Sequence, residues 1–312
     1  MIPAAYRALA RRTEDVRPRM SAQACQHAPT RDLVPTPLYA PTASPEPVSA
    51  KIPTRDGFRL AAEVWPSVGA DPHRAVVFVH GFCGNRSENG LFRKLAEECS
   101  AKGLTAVLYD WRGLAPSEGD FASTSLDDHV ADFQQVVQWT QQQFALDSGA
   151  LSAVGFSLGA AVIGCALREK TTVGSLAYLS PAVRPRLDMW PRYNTPSIKR
   201  ELAENGVVEK PGTSVLLGET ILTSLRETDL GSHALDLEVP LLVCHGTADT
   251  RINCEGTRKL VDARKRRAPK SSDFDYWEFS GASHSFRPSD SWWDHIASAV
   301  TTWFSARPSR GS

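Results

Sequence analysis

From residue 49 onward, short apolar runs alternate with longer stretches in which apolar side chains recur every three or four positions. Ala75–His80 (AVVFVH) and Thr105–Asp110 (TAVLYD) are continuously apolar, as expected of strands covered on both faces. Leu151–Gly155, Ser175–Ser180 (SLAYLS), Pro240–His245 (PLLVCH) and Asp273–Phe279 read as further strands. Val48–Pro53 and Phe58–Trp65 flank Asp56-Gly57, a dipeptide that predicts a hairpin turn. Between these runs, Leu91, Leu95 and Cys99 keep helical spacing, and Ser125 with Asp128 resembles a capping box. Phe133, Val136, Val137, Thr140 and Phe144 then share one helix face. Ala160–Leu167 reads as a small-residue helix, and Trp292, Ile296, Ala299, Val300 and Trp303 stripe a closing one. Strands alternating with helices in this way predict an α/β fold: a mostly parallel, eight-stranded sheet with helices on both faces.

The rhythm fails in two places. Between Ser180 and Pro240 lie about sixty residues, where a parallel crossover needs only about a dozen or more. The excess, about residues 181–239, reads as a lid inserted over the end of the sheet. At the other end, residues 1–48 carry many arginines and a run of prolines with few large apolar side chains. Such a stretch cannot offset its ordering entropy by burial, so a disordered tail is expected, followed by one domain over 49–308. The arginine-rich first nineteen residues read as an extension or as an early-drawn start preceding Met20, with an organelle transit peptide as the alternative.

Composition narrows the function classes. Thirty-five basic residues balance thirty-five acidic ones, which speaks against a strongly electropositive nucleic-acid binder. No run of about 18 apolar residues is present to span a bilayer, and no apolar secretory segment opens the chain, so the cytoplasm is the expected compartment. The six cysteines (Cys25, Cys83, Cys99, Cys165, Cys244, Cys254) include no short CxxC pair, hence neither a disulfide framework nor a zinc site is expected.

Gly155-Phe156-Ser157-Leu158-Gly159 matches G-x-S-x-G between an expected strand and an expected helix. A nucleophilic serine there stands clear of the backbone on a sharp turn, and the helix start offers its dipole and a free N–H. A serine hydroxyl needs a neighbouring base. Of eight histidines, His27 lies in the tail and His73 precedes a strand. His129, His233 and His295 sit on helical or lid segments, and His80 and His245 end strands, where structural roles are expected. His284, in the loop Ser280–Phe286 after the last strand, remains as the general base. Asp249, just past the strand ending at His245, is the acid expected to orient it, with Asp188 and Glu201 in the insertion as alternatives. The order Ser157, Asp249, His284 is that of α/β-hydrolases. His80-Gly81-Phe82-Cys83-Gly84 follows the third strand, and the N–H groups of Phe82 and Leu158 are assigned as oxyanion donors. Cys83, beside them, reads as a packed or exposed thiol rather than a reactive one.

HGFCGN at 80–85, YDWRGLAPSEGDF at 109–121, VGFSLGAAV at 154–162, CHGTADTRI at 244–252 and GASHSF at 281–286 together resemble the α/β-hydrolase superfamily, closest to its serine-aminopeptidase-like and cinnamoyl (feruloyl) esterase-like branch. The resemblance spans about residues 50–306 and implies Ser157, Asp249 and His284 as the triad, with Phe82 and Leu158 as the oxyanion donors. Two departures stand out: Ala115-Pro116 where the family's D-x-R-G-x-G-x-S has a glycine, and Arg251-Ile252-Asn253-Cys254 in place of a Val-Pro-like pair.

The expected activity is a serine hydrolase acting on a small-molecule acyl or aryl ester, with no metal or cofactor. A thioesterase or serine peptidase would share every named residue, and a non-catalytic scaffold is the reading from another class. Trp190, Tyr193, Leu216, Leu217, Ile221 and Leu222 are expected to form an apolar cover over the nucleophile, while Arg184, Arg186 and Arg192 read as a solvated face or as partners for a substrate carboxylate.

Overall fold

The computed structural model describes residues 46–68, 73–231, 239–267, 273–287 and 292–307. The expected tail up to residue 45, with Cys25 and His27, lies outside these residues, as does the 232–238 part of the insertion with His233.

Eight strands form the central sheet: β1 (Val48–Pro53), β2 (Arg59–Trp65), β3 (Ala75–Val79), β4 (Thr105–Tyr109), β5 (Leu151–Phe156) and β6 (Ser175–Leu179), then, past a hairpin in the insertion, β9 (Leu241–Gly246) and β10 (Phe274–Phe279). Their order is β1-β2-β4-β3-β5-β6-β9-β10. β1 pairs antiparallel with β2, and β2 with β4; from β4 to β10 every pairing is parallel. The Asp56-Gly57 turn joins β1 to β2 with Gly57 at φ 93°, in the left-handed region that glycine tolerates.

β3, β4, β5 and β6 are buried along their whole length, which accounts for their unbroken apolar runs. Helices Leu91–Ala101 and Trp292–Ser305 pack together against one face around Phe78, Phe92, Trp303 and Phe304. Helices Leu126–Phe144 and Leu158–Arg168 cover the other around Val77, Phe133, Val136 and Ile163. The capping box that starts the first of these forms in full: Ser125 Oγ accepts from Asp128 N (3.1 Å) and the Asp128 carboxylate from Ser125 N (2.7 Å). Helix Cys254–Arg267 links β9 to β10.

The chain moves from β3 outward to β4, then crosses back over β3 to β5. The loops leaving β3 and β5 therefore separate at their carboxyl ends, and such a switch point opens a crevice there.

The insertion between β6 and β9 folds as short helices Pro185–Asp188 and Pro196–Asn205, a hairpin of β7 (Val207–Glu209) with β8 (Leu216–Gly218), and helix Glu219–Glu227. Thr195 caps the second helix through Ile198 N (3.3 Å), with Pro196 fixing its first turn. Leu217, Ile221, Leu222 and Leu225 join the core cluster on the Leu158–Arg168 face. Arg184 and Asp188 pair within the insertion (3.3 Å). Among the described residues, no helix is long and apolar enough to cross a membrane.

Candidate active site

Ser157 sits between β5 and helix Leu158–Arg168 at φ 51°, ψ −118°, a conformation that costs a non-glycine residue about 1–3 kcal/mol. Hydrogen bonds on both sides hold it there. Ser157 N donates to Leu179 O (2.9 Å), while Ser157 O accepts from Ala160 N (3.2 Å) and Ala182 N (3.0 Å). The flanking glycines have a separate reason. A Cβ at Gly155 would lie 2.8 Å from the backbone of Ala160, and one at Gly159 would overlap the carbonyl oxygen of Val79. Helix start and strand ends thus meet backbone to backbone, with the serine side chain at the carboxyl edge of the sheet.

Two loops reach the same edge. His284, after β10, places Nε2 3.1 Å from Ser157 Oγ and Nδ1 2.7 Å from Asp249 Oδ2. The ring packs on Phe156 (5.0 Å between centroids), and its backbone carbonyl accepts from Ser180 Oγ (2.9 Å). Ser157, Asp249 and His284 are only 6%, 8% and 8% exposed, so the three form a largely buried, hydrogen-bonded row. Burial holds the His284 imidazole below its ordinary pKa, and the adjacent Asp249 carboxylate only partly opposes this. The alternative acids lie elsewhere: Asp188 pairs with Arg184, and Glu201 lies on helix Pro196–Asn205; among the described residues neither is bonded to His284.

Asp249 takes four donors. Its Oδ1 accepts from Arg251 N (2.8 Å) and Ile252 N (2.9 Å), its Oδ2 from His284 and from His245 Nε2 (3.1 Å). Burial alone would raise this carboxyl; the bonds from His245 and His284 outweigh it and hold the group well below the usual carboxylate range. His245 is itself held, with Nδ1 3.0 Å from Thr257 Oγ1. A structural role was expected for His245, and its object is the Asp249 carboxylate; a histidine four residues before the acid at a strand end is the signal that points there. His80 is structural in another sense: its ring stacks on Trp111, Nε2 accepts from Trp111 N (3.1 Å), and burial lowers its pKa to about 4. His129 also stacks on Trp111.

The loop after β3 passes against Ser157; a Cβ at Gly81 would lie 3.2 Å from Ser157 Cβ. Gly84 N donates to Gly81 O (3.0 Å), and the Phe82 ring is gripped by Phe121 and Tyr193. Leu158 N opens its helix and has no intrahelical acceptor. Among the described residues neither the Phe82 nor the Leu158 amide is engaged in a hydrogen bond, which leaves two free donors beside Ser157. Glu88, unremarked in the sequence, braces this loop: 6% exposed, it accepts from Gly81 N through Oε1 (2.7 Å). Burial pushes its carboxyl up to about 7 against the pull of Gly81 N–H, Arg251 and Lys210. Cys83 is half-buried and its thiol is pushed up to about 12 by burial, far from a thiolate. The Ala115-Pro116 departure lies in a loop closed by Gly113 N to Glu118 O (2.8 Å) and Ser117 Oγ to Asp110 O (2.7 Å), with a cis bond between the two residues.

A cavity of about 470 Å³ opens over Ser157 and His284. Its wall differs from the apolar cover expected of the insertion. Tyr193 lines it, but Trp190, Leu216, Leu217, Ile221 and Leu222 do not. Leu217, Ile221 and Leu222 are instead spent on packing the insertion against the core, and Leu216 faces solvent. Met189 is the other large apolar contribution of the insertion, beside Arg192, Lys210 and Thr213.

Comparison of this architecture with solved structures decides the fold. The chain has the α/β-hydrolase fold. Est1E from Butyrivibrio proteoclasticus, in a structure with ferulic acid bound, aligns at a TM-score of 0.67 and 18% identity, covering 83% of this chain and 98% of that one. The esterase domain of a Rhodothermus marinus protein aligns at 0.60 and 16% identity, covering 84% and 98%. The family model described as serine aminopeptidase, S33, matches residues 70–206. An uncharacterized protein of Mycobacterium tuberculosis is 29% identical over 142 residues, 42% of this chain and 48% of its own length. The chain thus spans about half the length of the first curated relatives it matches. The α/β-hydrolase resemblance carried by the five sequence motifs holds: the family model matches residues 70–206, and the fold is that of the solved neighbours.

Proposed function

We propose that this chain is a serine hydrolase that cleaves carboxylic esters, with Ser157 as nucleophile, His284 as general base and Asp249 as its orienting acid. The reading is carried by one observation: the unbroken path from Ser157 Oγ through the two ring nitrogens of His284 to a carboxylate held by four donors. Ser157 Oγ attacks the ester carbonyl carbon while its proton passes to His284 Nε2, and the positive imidazole is stabilised by Asp249. The carbonyl oxygen becomes an oxyanion that accepts from the Phe82 and Leu158 amides, each such donor being worth about 10²–10³ in rate. Collapse breaks the bond to the alcohol, which leaves with the proton from His284. Water then attacks the acyl-enzyme, gives a proton to His284, and releases the acid as Ser157 Oγ regains it.

Support for an ester over other acyl compounds comes from the esterase neighbours and from the ferulic acid held by one of them. A thioester or peptide bond would use the same three side chains. The scaffold reading is disfavoured by the presence of all three. The test is turnover of short- and medium-chain p-nitrophenyl esters by wild type and Ser157→Ala, with a fluorophosphonate probe mapped by mass spectrometry. Hydrolysis by wild type, at least about 10³-fold lower in Ser157→Ala, with the probe on Ser157, is expected. Turnover that survives the substitution, or a probe on another serine, overturns the assignment; no turnover of esters, thioesters or peptides favours a scaffold.

A further inference from the structure

We infer that the cavity over Ser157 takes a substrate bearing an anionic group, a carboxylate or a phosphate, beside its scissile bond. This rests on the hydrolase reading above and names its substrate class.

Four cationic side chains line the cavity, Arg192, Lys210, Arg251 and Arg287, against one carboxyl, Glu88, which is buried and turned to Gly81 N. Elsewhere several cations near the surface have carboxylate partners: Arg59 with Glu118, Arg86 with Glu63 and Asp110, Arg258 with Glu278. Around the cavity they are not. Among the described residues, Lys210, Arg251 and Arg287 have no carboxylate within salt-bridge distance. A chain with equal numbers of acidic and basic residues has thus gathered an excess of one sign at one place.

The elements that bring these charges together are the ones that build the site. Arg251 rides on the turn whose amides hold Asp249, and Arg287 follows His284 by three residues. Lys210 directly follows β7, where Lys210 N donates to Val215 O (2.9 Å) and Thr213 N to Lys210 O (3.1 Å). Both Arg251 and Lys210 line the same cavity, and the field of each reaches Glu88, with Arg251 also acting on His284 and Lys210 on Cys83. Arg192 donates to the carbonyls of Asp188 and Arg251 and ties the insertion to the Asp249 loop. A low-dielectric concavity lined by one sign of charge concentrates the potential within it and draws in the opposite charge. An aminopeptidase substrate, which carries a free ammonium beside the scissile bond, would meet the same field as repulsion.

The measurement compares kcat/KM for two p-nitrophenyl esters of equal acyl length, hydrogen glutarate and valerate, at low and high salt. Wild type is expected to favour the glutarate about tenfold, a preference that shrinks as salt screens the site. In the Lys210→Gln/Arg251→Gln double variant the ratio falls toward one. Arg287→Gln, read separately, lowers it less, and keeps the test alive if the double variant does not fold. Glutarate, inorganic phosphate and neutral valeramide are also compared as protectants of Ser157 against the fluorophosphonate probe; the two anions separate a carboxylate from a phosphate preference, and valeramide is expected to protect least. A wild-type ratio at or below one, or a ratio untouched by the cavity substitutions, with Ser157-dependent valerate turnover intact, overturns this inference alone. Absence of both turnover and labelling overturns the hydrolase reading, and this inference with it.

Discussion

Arg112 and Arg251 both follow an aspartate closely, one at the carboxyl end of β4 and one just past β9, and they are used in opposite ways. Arg112 is buried with every nitrogen engaged: Nε and one NH2 group meet Asp132 (2.7 and 2.5 Å), and the fork also grips Asp56 (2.6 and 3.1 Å), with Phe58 over its plane. It staples the β1–β2 turn to helix Leu126–Phe144, and its carboxylate partners, Asp132 foremost, raise its pKa further. Arg251 sits exposed at the cavity with its backbone N–H committed to Asp249 and, among the described residues, no carboxylate on its guanidinium. A saturated cation stabilises the molecule, and an unsaturated one at a concave wall is available to something that is not part of it.

The contrast can be broken by stability measurements. Arg112→Met leaves Asp132 buried without its partner and is expected to cost about 3–5 kcal/mol in chemical denaturation. Arg86→Met, which strips the half-buried pairs to Glu63 and Asp110, is expected to cost about 1.5–3 kcal/mol by the same assay. Lys210→Gln and Arg251→Gln should each stay within about 0.5 kcal/mol of wild type. A cavity substitution as damaging as Arg86→Met would show that those charges hold the fold after all.

A pH–rate profile sharpens the same contrast with a smaller effect. In the proposed mechanism His284 must be neutral to accept the serine proton, and its pKa lies below the ordinary value, so kcat/KM should rise with pH through a point beneath 6.5 and then level. Glu88, at about 7, gains its charge as pH rises through neutrality and then offsets the field of Lys210 and Arg251, which face it together with the Gly81 N–H. For an anionic ester a few-fold decline above about pH 7 is expected, absent in Glu88→Gln. A decline that survives Glu88→Gln removes this carboxyl from the explanation.

The middle of the sheet was legible because β3 to β6 are covered on both faces, and burial of that kind leaves continuous apolar runs such as AVVFVH and TAVLYD. The G-x-S-x-G turn was legible because close backbone approach at Gly155 and Gly159 admits no side chain. The insertion's interior was not: β7 and β8 are three residues each, too short to show a period, and the apolar side chains near them gave no sign of which wall they face. Leu217, Ile221 and Leu222 turned to the core and left the cavity to Arg192, Lys210 and Tyr193. Glu88 and Lys210 carry no local signature at all, because their significance comes from segments that meet only when the chain is folded.

The insertion supplies walls to the cavity and no member of the Ser157–His284–Asp249 relay, and it hangs from the sheet between β6 and β9. Division of labour of this kind lets the chain be re-tailored: new sequence between those two strands would change what is admitted while the proposed proton path, which starts from the ends of β5, β9 and β10, stays untouched.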